Sequence, residues 1–313
     1  MRAAAILGLG SSEKLLRLFH KASSADWTLG VPLTPSSAEA ILLFGGDGTI
    51  HRHLKVLVQL GLPVLIVPCG SGNDFANSIG IPSPVHALAA WQKFLQRKDN
   101  LRQIDLGVIR PLHKQIPGST STDTADDSAP SQHSRNSKPE TQNSFYFCCA
   151  GGAGLDASIA RAANQIPRWL RGNGGYVLSL LAALVSYRPI QTKIFIPQSQ
   201  AWELKLDSPA FAAVFANTPR YGGGMQIAPR AQLDDGLLDI CTVSGLSKTK
   251  VLRFFPKVFS GRHLEIPEVA YFQTARLRVE TEIPQDVYAD GEFVCRTPIE
   301  VSAAPRALRI IRP

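Results

Sequence analysis

Two segments of the chain each combine an apolar run, a glycine-rich loop with one aspartate, and the start of a helix. The first passes from residues 40–44 into the sequence GGDGT at 45–49, and the second passes from 63–67 into PCGSGND at 68–74. A repeated order of strand, loop and helix is typical of a parallel sheet covered by helices. Because parallel strands end at one edge of their sheet, we expect the two loops to lie side by side, where α/β proteins bind ligands.

The composition of these loops favours a site for phosphate and metal. Glycine lets backbone N–H groups approach an anion, and the following helix directs its positive dipole end to the same point. Neither loop has the Walker pattern or GxGxxG. Asp47 and Asp74 would repel a phosphate, so we interpret them as carboxylates that help to hold Mg²⁺ or its waters. The first loop alone is equally consistent with a tight turn and an Asp cap, and Asn73 or Asp74 alone is better explained as a helix cap. It is the pair of loops that favours catalysis.

The pattern changes after residue 105, where short strand-like runs are bounded by Gly, Pro or Asp. These runs are 106–112, 145–150, 191–196, 202–206, 211–216, 238–243, 275–280, 287–289 and 298–302. Their spacing predicts a largely antiparallel β domain, with helical segments around 157–187 and 248–259. We therefore predict an α/β domain over 1–104 and a β domain over 105–302. A last strand at 307–311 is a candidate for returning to the first domain, which 303–313 would then complete.

One segment, 113–143, differs from the rest of the chain. It is crowded with Ser, Thr, Asp, Gln, Asn and Pro, and Ile116 is its only large apolar residue. Such a segment cannot bury enough surface to offset the entropy of ordering it, so we predict a disordered insertion within the β domain. A phosphorylated or partner-binding loop is the alternative.

The charge and cysteine content limit the partners and the compartment. Lys and Arg number 33 against 25 Asp and Glu, for a net charge of +8, which suggests nucleotide phosphate, an acidic membrane or nucleic acid as partner. No nucleic-acid reading module is recognisable, so nucleic acid is not expected. Five cysteines without zinc spacing indicate reduced thiols in a cytoplasmic protein. The longest apolar stretch, 176–187, falls short of the ~20 residues that cross a bilayer, so any membrane contact would be peripheral.

Two acid-free stretches, 157–202 and 240–264, combine basic with aromatic residues. The cations are Arg161, Arg168, Arg171, Arg188 and Lys193 in the first, and Lys248, Lys250, Arg253, Lys257 and Arg262 in the second. Such stretches suit an anionic lipid surface, at ~1 kcal/mol for each cation close to it. The alternative is that their apolar residues are core and their cations a solvated rim; for 177–185 we favour the core.

Several blocks, in this order along most of the chain, resemble the diacylglycerol kinase catalytic-domain family, which includes bacterial soluble lipid kinases and the sphingosine and ceramide kinases. The blocks are GGDGT at 45–49, PCGSGNDFA at 68–76, IDLG at 104–107, GAGLDA at 152–157, ANTPRYGGGMQIAP at 216–229, LDDGLLD at 233–239 and DGE at 290–292. The resemblance implies an NAD-kinase-like, Rossmann-type N-terminal domain joined to a C-terminal β-sandwich domain. The active site would lie in the cleft between them.

The resemblance also implies roles for individual residues. The positions that match ATP-binding residues are Gly45, Gly46, Asp47, Gly48, Thr49 and Ser71. Glu292 matches the general base that takes the proton of the lipid hydroxyl. That role is chemically sensible, because phosphoryl transfer needs an oriented nucleophile and charge neutralisation rather than covalent help.

A magnesium site and further acids follow from the same resemblance. Family members hold structural Mg²⁺ by two main-chain carbonyls and one carboxylate, which here implies Gln232, Leu237 and Asp235. Asp47, Asp74 and Asp105 would complete a network of acids and waters around the metal. Outside this setting, Asp235-Gly236 and Asp290-Gly291 would both be ordinary hairpin turns, and 221–224 a flexible loop.

The predicted function is an ATP- and Mg²⁺-dependent lipid kinase that phosphorylates a hydroxyl of diacylglycerol or a similar lipid alcohol, with a homodimer left open. Two departures from the family pattern concern the nucleotide-binding half. Gly8–Ser12 stands where the family has an Asn-Pro-x-Ser-Gly loop, and a strand–helix step is apparently missing after it. After the first glycine loop, His51-Arg52 stands where the family commonly has Asn-Glu. They suggest the alternative of a non-catalytic lipid- or nucleotide-binding protein with a degenerate ATP site. An NAD kinase shares GGDGT but is disfavoured by the YGGGM and DGE blocks.

Overall fold

The computed structural model describes residues 1–23, 25–97, 99–112, 144–165, 183–184, 187–199 and 201–313. The predicted insertion, 113–143, and most of the apolar stretch 176–187 lie outside the described residues. So do Arg168 and Arg171 of the first basic stretch. Within the described part, no helix has the length and apolar character needed to span a membrane.

The first half of the chain forms a parallel sheet with helices. Its strands are β1 (Arg2–Leu7), β2 (Asp26–Leu29), β3 (Ala40–Gly45) and β4 (Val64–Pro68), in the order β2-β1-β3-β4. The helices are α1 (Glu13–Lys21), α2 (Asp47–Leu60), α3 (Asp74–Ser78) and α4 (Pro84–Arg97). Every residue of β3 and β4 is buried, as expected for central strands that are covered on both faces.

The second half is a set of antiparallel strands. They are β5 (Leu101–Pro111), β6 (Phe145–Phe147), β7 (Ala150–Gly154), β8 (Ile190–Gln198), β9 (Ala201–Ala216), β10 (Leu238–Ser244), β11 (Val269–Thr274), β12 (Arg276–Thr281), β13 (Asp286–Ala289), β14 (Glu292–Arg296) and β15 (Ile299–Ile311). Helix α5 (Leu155–Gln165) follows β7, and α6 (Lys248–Phe254) with the 3₁₀ turns Phe255–Ser260 and Arg262–Glu265 follows β10. The predicted change from α/β to β architecture is confirmed.

Strands β5 and β15 connect the two halves. They pair antiparallel along most of their length, with a register shift between Ala304 and Leu308, and Ile310 also pairs parallel with Val64 of β4. The end of β15 packs into the core of the first half, and its start packs into the core of the second. The predicted domain boundary near residue 104 falls inside β5, and it stays a prediction.

Several element predictions need correction. Strand β2 is present where a strand–helix step seemed to be missing; it lies at the sheet edge and is mostly exposed, so it has no apolar run to reveal it. A single 3₁₀ turn, Pro35–Ser37, stands in place of the helix. The predicted strands 202–206 and 211–216 are one strand, β9, and 298–302 and 307–311 are likewise one strand, β15. The predicted strand 145–150 is divided between β6 and β7, and β11 and β14 were not predicted.

Candidate active site

The two glycine loops touch each other at the carboxyl ends of β3 and β4. A Cβ atom added to Gly46 would lie 2.9 Å from the Cα of Gly70, and one added to Gly70 would lie 2.8 Å from the Cα of Gly46. Asn73, in the left-handed region at φ +54°, braces the second loop by accepting a hydrogen bond from the Gly70 N–H (2.9 Å). The prediction that these loops lie side by side is confirmed, and only glycine fits at their contact.

Asp47 joins the two loops. It is the first residue of α2, and its carboxylate accepts hydrogen bonds from the backbone N–H groups of Asp74 and Phe75, both at 3.1 Å. It therefore caps α3, which follows the second loop. Burial, and next the charge of Asp74, raise the pKa of Asp47 to about 6, against the lowering effect of the two N–H donors. The carboxylate is held in one orientation and takes up a proton in mildly acidic solution.

Asp74 faces a loop from the second half of the chain. Gly222, Gly223 and Gly224 all have positive φ angles, of 61°, 79° and 95°, and the Gly223 N–H donates to Asp74 Oδ2 at 3.1 Å. Burial raises the pKa of Asp74, although these backbone donors partly oppose the effect. The loop 221–224, for which a flexible loop was the alternative to a family motif, therefore contacts Asp74 across the cleft between the halves.

Asp290 is a buried acid for which the sequence predicted no role. Its side chain is 0% exposed, it sits at φ +49°, and its carboxylate accepts from the backbone N–H groups of Cys148 (2.9 Å) and Cys149 (2.8 Å). His51 Nδ1 of α2 lies 3.2 Å from Asp290 Oδ2. Burial lowers the pKa of His51, but the hydrogen bond and charge of Asp290, with the charge of Glu292, outweigh it, so this pKa lies above its usual value.

Glu292, the predicted base, lies against the first turn of α2. A Cβ added to Gly48 would be 2.9 Å from Glu292 Oε1, so the carboxylate occupies the space that glycine leaves open. Glu292 is half-buried at the start of β14, which leaves one side accessible to a substrate. Negative charge at this place is favoured by the N-terminal dipole of the helix.

The remaining ATP-binding positions differ in accessibility. Ser71 is exposed on the second loop, whereas the Thr49 side chain is only 8% exposed. Thr49 lies under the loops, since a Cβ added to Gly8 or Gly45 would come within 2.4 or 2.5 Å of it. Thr49 therefore supports the first loop from beneath, and a ligand would reach its backbone rather than its hydroxyl group.

The altered N-terminal loop packs onto both glycine loops. The Gly8 N–H donates to the Phe44 carbonyl at 2.7 Å, and a Cβ added to Gly10 would lie 2.3 Å from the Cys69 carbonyl oxygen. Gly10 has φ +89°, a conformation that glycine adopts without strain. The departure in sequence thus keeps a close-packed loop at the same edge of the sheet.

Asp105 and the predicted metal residues form a neighbouring arrangement. Asp105 is 1% exposed, and its carboxylate accepts from the backbone N–H groups of Gly236 (2.6 Å) and Arg306 (2.7 Å). Its own N–H donates to the Leu233 carbonyl at 2.6 Å. Asp105 thus links the turn 233–236 to the part of β15 around Arg306, where the strand register shifts. Both carboxylate oxygens of Asp105 are engaged in these contacts.

The turn that Asp105 anchors has the chemistry of a magnesium site. Gln232 and Asp235 are exposed, and the Asp235 carboxylate accepts from the Leu237 N–H at 3.0 Å through Oδ1 and from Gln273 Nε2 at 3.5 Å through Oδ2. Two carbonyls and one carboxylate form an all-oxygen donor set, which suits Mg²⁺, and solvent can supply the remaining ligands. The residues therefore fit the ion.

An apolar cavity of about 100 Å³ lies beside the glycine loop of residues 222–224. Tyr221 and Met225, which flank that loop, line one part of it. Further lining residues are Phe211, Val243, Leu246, Phe254, Phe255 and Ile266. These side chains come from β9, β10 and the helical segment after β10, so the cavity belongs to the second half of the chain.

The chain is similar to known proteins over both halves. Residues 5–109 match the family model described as diacylglycerol kinase catalytic domain, and residues 150–312 match the YegS C-terminal NAD kinase beta sandwich-like domain. A diacylglycerol kinase of Mycobacterium tuberculosis is 33% identical over 282 residues, which cover 88% of this chain and 77% of that protein. A diacylglycerol kinase of Bacillus subtilis is 24% identical over 282 residues, 88% of this chain and 78% of that protein. A crystal structure of a diacylglycerol kinase from Bacillus anthracis shares the fold, with a TM-score of 0.64 at 17% identity, covering 100% of this chain and 97% of that one.

Proposed function

The chain belongs to the diacylglycerol kinase family of lipid kinases, and we propose that it transfers the γ-phosphate of ATP, with Mg²⁺, to a hydroxyl group of diacylglycerol or a similar lipid alcohol. The observation that carries this proposal is the convergence of Asp47, Asp74 and Glu292, from three separate stretches, on the paired glycine loops. Such a cleft combines donors for a triphosphate with a carboxylate for an alcohol.

The nucleotide would bind through the backbone of the two loops. Gly46 and Gly70 bring the two loops together without side chains of their own, and the first turn of α2 points its N–H groups at the same edge. The Gly70 N–H itself is donated to Asn73. Ser71 offers an exposed hydroxyl group to the phosphates. The exposed loop edge and the helix dipole together favour the anionic end of ATP over its base.

Glu292 would act as the general base. In the proposed reaction, its carboxylate orients the lipid hydroxyl and accepts the proton as the new O–P bond forms. The half-buried setting against Gly48 restricts the side chain without closing it off. Asp47 and Asp74 would then act on the waters and the metal of the triphosphate, and Asp47 is in its charged form above pH about 6.

A structural magnesium ion would be held by the carbonyls of Gln232 and Leu237 and the carboxylate of Asp235. When bound there, the ion supplies a fixed positive charge next to the cleft. We assign Asp105 to positioning this turn, because its carboxylate binds the Gly236 and Arg306 N–H groups.

The lipid would enter from a membrane, with an acyl chain in the apolar cavity beside Tyr221. Helix α6 exposes Leu252 and Arg253, a combination that suits peripheral contact with an anionic surface. Three other cations of this stretch have acidic partners: Lys250 with Glu268, and Lys257 and Arg262 with Glu265. The basic stretch therefore offers fewer charges to a membrane than its composition suggested.

The proposal is tested with radiolabelled ATP, Mg²⁺ and vesicles that contain one lipid alcohol at a time, with NAD⁺ as a further acceptor. We expect label in the lipid phase and none on NAD⁺. Glu292→Gln should bind ATP by calorimetry yet transfer no phosphate, while Glu282→Gln, at an exposed glutamate after β12, should match the wild type. Failure to bind millimolar ATP would favour a non-catalytic binding protein, and turnover by Glu292→Gln would remove Glu292 as the base.

A further inference from the structure

His51 and Asp290 connect α2, the helix that follows the first glycine loop, to the turn that precedes the proposed base. His51 lies four residues after Asp47, so one face of α2 presents the Asp47 carboxylate first and the His51 ring one turn later. Asp47 contacts the second glycine loop, and His51 contacts Asp290 of the other half of the chain. One helical turn therefore touches both sides of the cleft.

Asp290 is fixed from two directions. Its buried carboxylate accepts from the N–H groups of Cys148 and Cys149 on one side, and His51 Nδ1 lies 3.2 Å from its Oδ2 on the other. Asp290 and Gly291, at φ +49° and +83°, form the two-residue loop between β13 and β14, a conformation that Asp-Gly adopts readily. The carboxylate therefore does not hold a strained turn; through His51 it ties this turn to α2.

The position of Glu292 depends on that turn. Glu292 follows Asp290 by two residues, and its Oε1 lies 2.9 Å from the place that a Cβ of Gly48 would take, beside the same helix that bears His51. Without the His51 contact, the turn and Glu292 with it are less firmly held against the start of α2. A misplacement of about 1 Å from the productive geometry can cost about 10²-fold in rate.

We propose that His51 is a positioning residue for phosphoryl transfer: its ring, hydrogen-bonded through Nδ1 to Asp290, holds the 290–292 turn against α2 so that Glu292 stays in place. This inference rests on the proposed function, because it takes Glu292 as the base. It assigns a task to a histidine that the sequence showed only as a departure from the family pattern.

The test compares two replacements of His51 in the lipid kinase assay. The Asn side chain can place an N–H donor where His Nδ1 lies, whereas Leu fills a similar space without a donor. We expect His51→Leu to lower kcat by about 10- to 100-fold, with KM for ATP changed less than about threefold. His51→Asn should recover kcat to within about threefold of the wild type. His86→Leu, at an exposed histidine of α4, serves as the control.

The outcomes separate this inference from the proposed function. Equal loss in both His51 variants, or a loss confined to KM, would overturn the positioning role while wild-type turnover still supports the kinase. If the wild type phosphorylates no lipid, both proposals fail.

A urea-unfolding cycle with His51→Leu and Asp290→Asn tests the contact without turnover: the double variant should shift the midpoint by less than the sum of the single shifts. Additive shifts would overturn the contact and the inference.

Discussion

Gly48→Ala should impair turnover without impairing the fold. Ordinary contacts of a Cβ begin near 3.4 Å, and the new Cβ would lie 2.9 Å from Glu292 Oε1, so that oxygen must retreat by about 0.5 Å. The clashing atom ends a flexible side chain, which costs about 1 kcal/mol to rearrange. Replacing glycine by alanine within a helix gains about 0.5–1 kcal/mol. Stability should therefore change by less than about 1 kcal/mol, while kcat falls about 10-fold because the base is displaced.

Steady-state kinetics with urea unfolding would check this prediction, and Gly46→Ala provides the contrast. There the added Cβ meets the Cα of Gly70, which cannot move without its loop, so we expect a loss of about 1–3 kcal/mol in unfolding free energy. Gly48→Ala should also add nothing to the defect of Glu292→Gln. Wild-type kcat in Gly48→Ala would refute the inferred closeness of Glu292 to α2 or its part in the reaction.

Three further predictions address the acids. Folding raises the pKa of Asp47 from 3.8 to about 6. Between these two pH values the native state keeps a proton on Asp47 that the unfolded chain has lost. The free energy of unfolding should therefore fall by about 3 kcal/mol as the pH rises from 3.8 to about 6. Asp47→Asn should flatten this fall in urea titrations at pH 4 and 7; an unchanged fall would contradict the assignment. Asp105→Ala should lower the unfolding free energy by about 2–4 kcal/mol, since two backbone donors lose a charged acceptor, and a loss below 1 kcal/mol would argue against the anchoring role. Asp235→Ala should leave the urea midpoint unchanged yet raise the Mg²⁺ concentration for half-maximal rate by at least about 10-fold, whereas an unaltered Mg²⁺ dependence would remove Asp235 as a ligand.

The sequence was sufficient for the features that depend on local pattern. Continuous apolar runs predicted β3 and β4, and glycines directly after them predicted two loops whose backbones meet at Gly46 and Gly70. Strand β2 was missed because an exposed edge strand has no burial pattern to detect. The division of 202–216 into two strands was wrong because polar residues within it sit on a partly exposed face of one long strand.

The rest of the site depends on contacts between distant residues, which no local pattern records. Asp290 is 239 residues from His51 and 142 from Cys148, so its burial and its partners follow only from the packing of the two halves. In the sequence, Asp105 resembles a strand-end cap. In the structure, its partners are Gly236, which lies in the turn 233–236, and Arg306, which lies at the register shift in β15. Motif order located the acids, but the tertiary fold decides which of them face the cleft.

A crystal structure with Mg²⁺ and a non-hydrolysable ATP analogue would test most directly whether these acids surround a reacting triphosphate. We expect the terminal phosphate between the loop 45–49 and Glu292, with the β- and γ-phosphates on the first turn of α2. Nucleotide bound elsewhere, or a loop left empty at millimolar analogue, would contradict the proposed active site.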